Sequence, residues 1–199
     1  MSNMIDSHPL VGLIAARVRT ERDRRRWTLA QLAEASGVSQ AMISRIERGE
    51  SSPTAVVLGK LSAAFRLSVS SLLALAEGAT DGAAGEPAGL RRAADAAEWR
   101  DPDTGYRRRQ ITGPHFPTEI VEIRLPVGAR VPYPAAAFAF VRQVVWVLDG
   151  HLTFHEGDTV HELGTGDTIE LGEPAPCVFA NDSGSECRYA VVLTRDQRP

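Results

Sequence analysis

The chain has 199 residues, 43% of them hydrophobic, two cysteines and a formal net charge of −3, which leaves room for two modest domains with a core each. No stretch approaches the roughly 18 apolar residues of a membrane span, and the amino terminus lacks a secretory pattern. Cys177 and Cys187 make no disulfide framework, so a reducing cytoplasm and no membrane partner are expected. The charge is unevenly placed. Pro9–Glu77 carries ten Arg and Lys against six Asp and Glu, about +4, and the chain from Glu98 onward carries ten against fifteen, about −5. A basic front and an acidic back fit a nucleic-acid-binding module joined to one that is not.

Residues 1–8 carry no pattern and are expected to be disordered. From Leu10 to Arg26 the spacing of Leu10, Leu13, Ile14 and Val18 predicts a helix, with charge crowded at its far end and Trp27 packing under the next unit. Thr28–Gly49, TLAQLAEASGVSQAMISRIERG, then reads as two short helices meeting at a tight turn. Leu29, Leu32 and Ala33 form an apolar stripe, and Thr28 is a good N-cap because its hydroxyl can accept an unpaired backbone N–H. Gly37 supplies the left-handed residue that ends a helix sharply. Val38 is an apolar plug and Ser39 a second N-cap. On the second helix Ile43 and Ile46 face the core, which leaves Gln40, Ala41, Ser44 and Arg45 outside.

That outer face suits the DNA major groove. Gln can pair bidentately with adenine and Arg with guanine, while Ala and Ser permit close approach. Thr28, Gln31 and Ser39 are candidates for phosphate contacts that position the module. A turn at Glu50–Thr54 leads to a fourth helix over 55–65, and Ser68 or Ser70 caps a fifth around Leu72, Leu73 and Leu75. The run Leu-Ala, Gly-Val-Ser and Ile-Ser-Arg-Ile-Glu-x-Gly resembles the helix-turn-helix of the phage-repressor (Cro/C1, or XRE) family over about the first third of the chain. The resemblance implies a compact five-helix domain over 9–76 that binds double-stranded DNA. It also implies an ion pair between Arg22 and Glu47, mostly buried, which orients the first helix against the third.

Residues 77–97 read as a linker, with EGATDGAAGEPAGL (residues 77–90) holding no large apolar residue before Leu90. The rest, 98–199, shows an all-β pattern of short alternating strands broken by Gly, Pro and Asp turns. Strands are predicted at Tyr106–Ile111, Thr118–Leu125, Phe138–Leu148, His151–Glu156, Thr159–Leu163, Thr168–Leu171, Cys177–Ala180 and Arg188–Thr194. Two passages, Gln143–Gly150 with the LTFHEGDTVHELGTGD that follows His151, and Gly166–Asn181, resemble the two conserved blocks of cupins. The implied fold is a double-stranded β-helix, or jelly roll, making the whole an α + β two-domain chain.

The cupin resemblance implies a metal held by histidines and a glutamate, but the ligand positions do not carry those residues. Gln143 stands at the glutamate position and Cys177 at the second-block histidine position, and VPYPAAAFAFV (131–141) has no histidine. Gln is a poor ligand and a lone Cys builds no Fe or Zn site, so neither metal nor cofactor is expected. His151 and His155 share a strand face opposite Leu152 and Phe154 and point outward. The expected barrel mouth is walled by Tyr133, Phe138, Phe140, Gln143, Val145, Cys177 and Phe179, a dry pocket for a small organic effector. Trp146 faces outward, where a dimer partner or a neighbouring strand could cover it.

Taken together, these readings point to a cytoplasmic, non-enzymatic transcription regulator. It would bind a palindromic operator as a homodimer and sense a small molecule in a metal-free cupin domain, with the signal passing through the linker. The competing readings are a cupin enzyme tethered by its helix-turn-helix, and a DNA-binding protein whose barrel only dimerises.

Overall fold

In a computed structural model of the chain, the described residues are 9–77, 89–90, 92–93, 96, 98–113, 116–139 and 141–195. The expectations for residues 1–8, for most of the linker and for Phe140 fall outside them. Among the described residues five helices come first: α1 (Pro9–Arg24), α2 (Leu29–Ser36), α3 (Gln40–Glu47), α4 (Ala55–Ala64) and α5 (Val69–Glu77). Their apolar faces meet in one core, where Ile14, Val18, Leu32, Ile43, Leu58, Leu61, Phe65 and Leu72 are wholly buried. Each such side chain contributes roughly 1.5–3 kcal/mol through burial, which far exceeds what helix propensity supplies to elements of eight to ten residues.

The caps fix where helices begin. Thr28 Oγ1 accepts from Gln31 N while Gln31 Oε1 accepts from Thr28 N, a reciprocal capping box. Ser39 Oγ accepts from Met42 N, Thr54 Oγ1 from Val57 N, and Ser68 Oγ from Ser71 N. Between the alternatives left open for α5, Ser68 is therefore the cap. Gly37 adopts the left-handed conformation at φ 65° and closes α2 by donating to Ala33 O. The expected first helix ran to Arg26, but α1 stops at Arg24. Arg26 itself is left-handed at φ 56°, and Trp27 N returns to Arg22 O. Arg66 ends α4 in the same way at φ 56°.

Among the described residues ten strands follow: β1 (Glu98–Arg100), β2 (Arg107–Gln110), β3 (Thr118–Leu125), β4 (Arg130–Tyr133), β5 (Val141–Asp149), β6 (His151–Glu156), β7 (Thr159–Gly164), β8 (Thr168–Glu170), β9 (Cys177–Ala180) and β10 (Cys187–Arg195). They form two antiparallel sheets, β1-β2-β3-β10-β5-β8 and β4-β9-β6-β7. The non-sequential order is that of a jelly roll, the cupin double-stranded β-helix. Inward residues of both sheets, among them Val121, Val145, Val147, Leu152 and Phe154, are fully buried between them. At the β5–β6 corner Gly150 has φ 82°, and a Cβ there would lie 2.9 Å from Glu186 O, so only glycine fits.

Three strand expectations need correction. β1 and β4 were not anticipated: both are short sheet-edge strands, and β4 contains Pro132, which an edge tolerates. The predicted strand from Phe138 begins only at Val141. Ala135–Ala137 instead form a 3₁₀ turn entered from the extended Pro134, since three alanines offer a strand no β-branched surface.

The helical and β parts also touch directly. α4 packs against β4 and the 3₁₀ turn, and α5 against β3. Asp101, 2% exposed, accepts through Oδ1 from Ala55 N at the start of α4 (3.0 Å). Ser71 donates to Glu119 Oε1 (2.7 Å), and the Arg108 guanidinium donates to Ser70. The two halves are therefore joined by direct side-chain contacts as well as by the 77–97 segment.

Candidate nucleic-acid interface and barrel cavity

The helix α3 buries Ile43 and Ile46 and leaves Gln40, Ala41 and Arg45 exposed along one outer face. Arg45 lies 3.8 Å from Met42 Sδ, and among the described residues no carboxylate pairs with it. Ser44 differs from expectation: it is half-buried and its hydroxyl accepts from Arg48. Arg48 in turn grips Glu50 with two bonds of 2.6 and 2.7 Å and holds that carboxyl below its usual range. The i, i+4 spacing of Ser44 and Arg48 is the signal that sequence reading passed over. Thr28, Gln31 and Ser39 are exposed. Their caps use oxygen acceptors, so the hydroxyl hydrogens and the Gln31 amide remain as donors, the polarity a phosphate requires.

Behind α3 stands the anticipated ion pair. Arg22 Nε and Nη2 meet Glu47 Oε1 and Oε2 at 2.7 and 2.9 Å, a two-pronged contact with side chains 14% and 9% exposed. Arg22 also donates to Trp27 O at 2.9 Å. The hydrogen bonds that Arg22 donates to Glu47 outweigh desolvation and raise the Arg22 pKa. One guanidinium thereby ties the end of α1, the α1–α2 turn and the end of α3 together. Desolvation offsets much of its attraction, so its main effect is on orientation.

The barrel holds a second feature. A cavity with about 50 Å³ open to water-sized spheres lies at the mouth facing α5, lined by residues of both halves. Of the anticipated wall, Tyr133, Phe138, Gln143 and Phe179 line it. Val145 and Cys177, 0% and 2% exposed, are packed into the barrel away from the cavity. Sequence reading missed the polar floor: Tyr106 and Arg108 of the β2 region, Tyr189 of β10, and Ser68 and Ser70. A signal existed, because three consecutive arginines at 107–109 in a strand must send one of them inward. Arg107 and Arg109 pair outside with Glu186 and Glu122 at 2.9 and 2.7 Å, while Arg108 is 8% exposed. The Tyr106 and Tyr133 hydroxyls lie 3.3 Å apart, and burial, first among the causes, pushes Tyr133 and Tyr189 well above the usual phenol range.

The residues do not fit a cupin metal. Gln143 offers an amide whose Nε2 has no hydrogen-bond partner among the described residues. Cys177 donates to Ala175 O at 3.2 Å, and burial with help from Glu156 pushes its thiol up to about 11, so at neutral pH the free thiol is protonated. His155 meets Arg130 at 2.9 Å, and His161 stacks on Phe154 beside Glu156. Among the described residues no three His, Cys, Asp or Glu groups converge.

These features agree with known proteins. The helix-turn-helix family HTH_3 matches residues 18–72, from the middle of α1 into α5. The HTH-type transcriptional regulator SutR of Escherichia coli K12 is 38% identical over 71 residues, which are 36% of this chain and 40% of that protein. The chain thus matches well under half of that relative's length. The crystal structure of an HTH_3 family transcriptional regulator from Vibrio cholerae shares the fold across both halves: it covers 94% of this chain and 98% of its own, with a TM-score of 0.73 at 23% identity. The cupin domain of an XRE family transcriptional regulator from Enterobacter cloacae overlaps 45% of this chain and 95% of its own, at 15% identity and a TM-score of 0.41. Helix order, caps and sequence match agree: residues 18–72 match the helix-turn-helix family HTH_3, carried on one chain with a β domain of jelly-roll fold.

Proposed function

We propose that the chain is a cytoplasmic, non-enzymatic transcription regulator that binds a palindromic operator as a homodimer. In this reading residues 9–76 are the DNA-binding domain and 77–97 a tether. The cupin domain over 98–199 senses a small molecule. The observation that carries the reading is the α3 face, with Gln40, Ala41 and Arg45 exposed on a helix locked by its Ser39 cap and by the Arg22–Glu47 pair. Arg45 and Gln40 read base edges there, and Thr28, Gln31 and Ser39 settle the module on phosphates. One such helix spans only a half-site, so two copies about 34 Å apart are required for a full operator. Trp146, 47% exposed on the outer face of β5 beside Ala190, offers apolar surface to a second copy. No single helix among the described residues is long and apolar enough to cross a membrane.

Selection of bound duplexes from a random library tests the proposal. An inverted repeat should emerge, with half-sites one helical turn or a small multiple apart, and sedimentation should give two chains per duplex. Failure to enrich any sequence would overturn it.

A further inference from the structure

We propose that the barrel cavity takes a small organic carboxylate whose oxygens meet the Arg108 guanidinium and the Gln143 amide, and that its arrival draws Arg108 away from Ser70 and loosens α5 from the barrel. The proposal rests on the reading above, that the barrel holds an effector, and adds its chemical class and its consequence.

The charge balance of the cavity carries the first half. Of the three successive arginines on β2, the outer two have carboxylate partners, whereas Arg108, 92% withdrawn from solvent, has none among the described residues. A buried cation without a counterion is costly, and an anion of matching shape relieves that cost. The cavity supplies no negative charge of its own. Its phenols stay neutral: Tyr106 and Tyr189 are buried and Tyr133 is half-buried, and desolvation raises the pKa of Tyr133 and Tyr189. Glu119 at the rim is turned to Ser71, which donates to it at 2.7 Å. An unsatisfied donor points the same way, since Gln143 is 6% exposed and its Nε2 lacks a partner among the described residues.

Size and walls narrow the ligand. About 50 Å³ holds three to five waters, hence an anion on the order of four to six non-hydrogen atoms. Ile123, Phe138, Phe179 and Leu193 form apolar walls. Phosphate or sulfate needs donors on every side, whereas a short aliphatic carboxylate presents one planar charged end and an apolar tail. The planar end matches the guanidinium fork with two parallel bonds.

The second half follows from what Arg108 holds at present. It donates to the hydroxyl of Ser70, in the first turn of α5. A carboxylate is the stronger acceptor and competes for the same donors. The helix α5 packs on α1, whose end is clamped to α3 through Arg22 and Glu47. Release of α5 therefore perturbs the support of the DNA-reading helix. The ligand and DNA are coupled to the extent that the carboxylate favours the released arrangement.

The test titrates the full-length protein calorimetrically with straight-chain carboxylates from acetate to butyrate and with their neutral amides, followed by hydrogen exchange of residues 69–72. The carboxylates should saturate and bind about tenfold or more tighter than the amides. Arg108→Met, shown by circular dichroism to be folded, should lose the preference, and Arg108→Lys should keep part of it. Ser70→Ala removes the hydroxyl that competes for Arg108 and keeps the guanidinium and the Gln143 amide, so it should bind carboxylate as well as or better than the parent, with α5 exchange already fast. Saturation should speed α5 exchange in the parent protein. Amides binding as well as carboxylates would overturn the anion assignment while sparing the effector reading. If neither series bound, the cavity as an effector site would fall as well. Carboxylate binding with α5 exchange unchanged would overturn the release.

Discussion

The packing of α4 on the barrel turns on one missing side chain. A Cβ added at Gly59 would lie 2.8 Å from Cδ1 and 3.2 Å from Cε1 of Tyr133. The ring has little room to yield, because Phe138 and Phe179 meet it edge-on with centroids 6.1 Å away, and its hydroxyl faces Tyr106. Gly59→Ala therefore sets two effects against each other. Alanine within a helix gains roughly 0.5–1 kcal/mol over glycine. Forcing a methyl into a filled contact costs roughly 1–3 kcal/mol. The packing cost should win, leaving the full-length protein destabilised by about 1 kcal/mol, within a range of about 0–2.5. In a Tyr133→Ala background the obstacle is gone and the same change should stabilise by about 0.5–1 kcal/mol. Urea unfolding of the four members of this double-mutant cycle measures the reversal. An equal effect of Gly59→Ala in both backgrounds would refute the close approach of α4 to the barrel.

Other positions make independent claims. Glu47→Ala leaves Arg22, whose side chain is 14% exposed, with the half-exposed Asp23 at 2.8 Å as its carboxylate and should cost roughly 1–3 kcal/mol, less than a fully buried pair; a loss below about 0.5 kcal/mol in thermal unfolding would show the pair to be ornamental. Asp101→Ala removes the acceptor for Ala55 N and Thr104 N and should cost about 1–3 kcal/mol, with faster exchange at the start of α4. Burial pushes both Cys177 and Cys187 to about 11 from an ordinary 9.0. Since the unfolded thiols ionise first, this contribution to stability is complete below about pH 9 and is lost as pH rises towards 11. Native-state alkylation at pH 7 should accordingly be far slower than in urea, and equal rates would contradict the burial.

The helix-turn-helix was legible because every local signal in it agrees: period, caps and the left-handed Gly37 all specify one arrangement. The ends of α1 and α4 were not, since Arg26 and Arg66 take the left-handed conformation that glycine usually marks. Long alternating strands such as Thr118–Leu125 were read to the residue, whereas β1 and β4 are too short to show a period. Gln143 was placed correctly by alternation, yet Arg108 was overlooked although the same alternation sets it on the opposite face from Arg107 and Arg109. The contacts of Ser70, Ser71 and Asp101 across the two halves join residues 38 to 48 positions apart and leave no pattern in the sequence. Only the folded chain brings them together.

The most direct measurement compares the affinity of the parent protein and Arg45→Ala for the selected operator and for a scrambled duplex, at one fixed salt concentration. Arg45 extends from the outer face of α3 with no carboxylate partner among the described residues. Its loss should cost about 1–3 kcal/mol on the operator, about 5- to 150-fold in Kd, and relax the preference at one base. Binding to the scrambled duplex should weaken far less. An Arg45→Ala protein that held the operator as tightly as the parent would contradict the assignment of α3 as the reading helix.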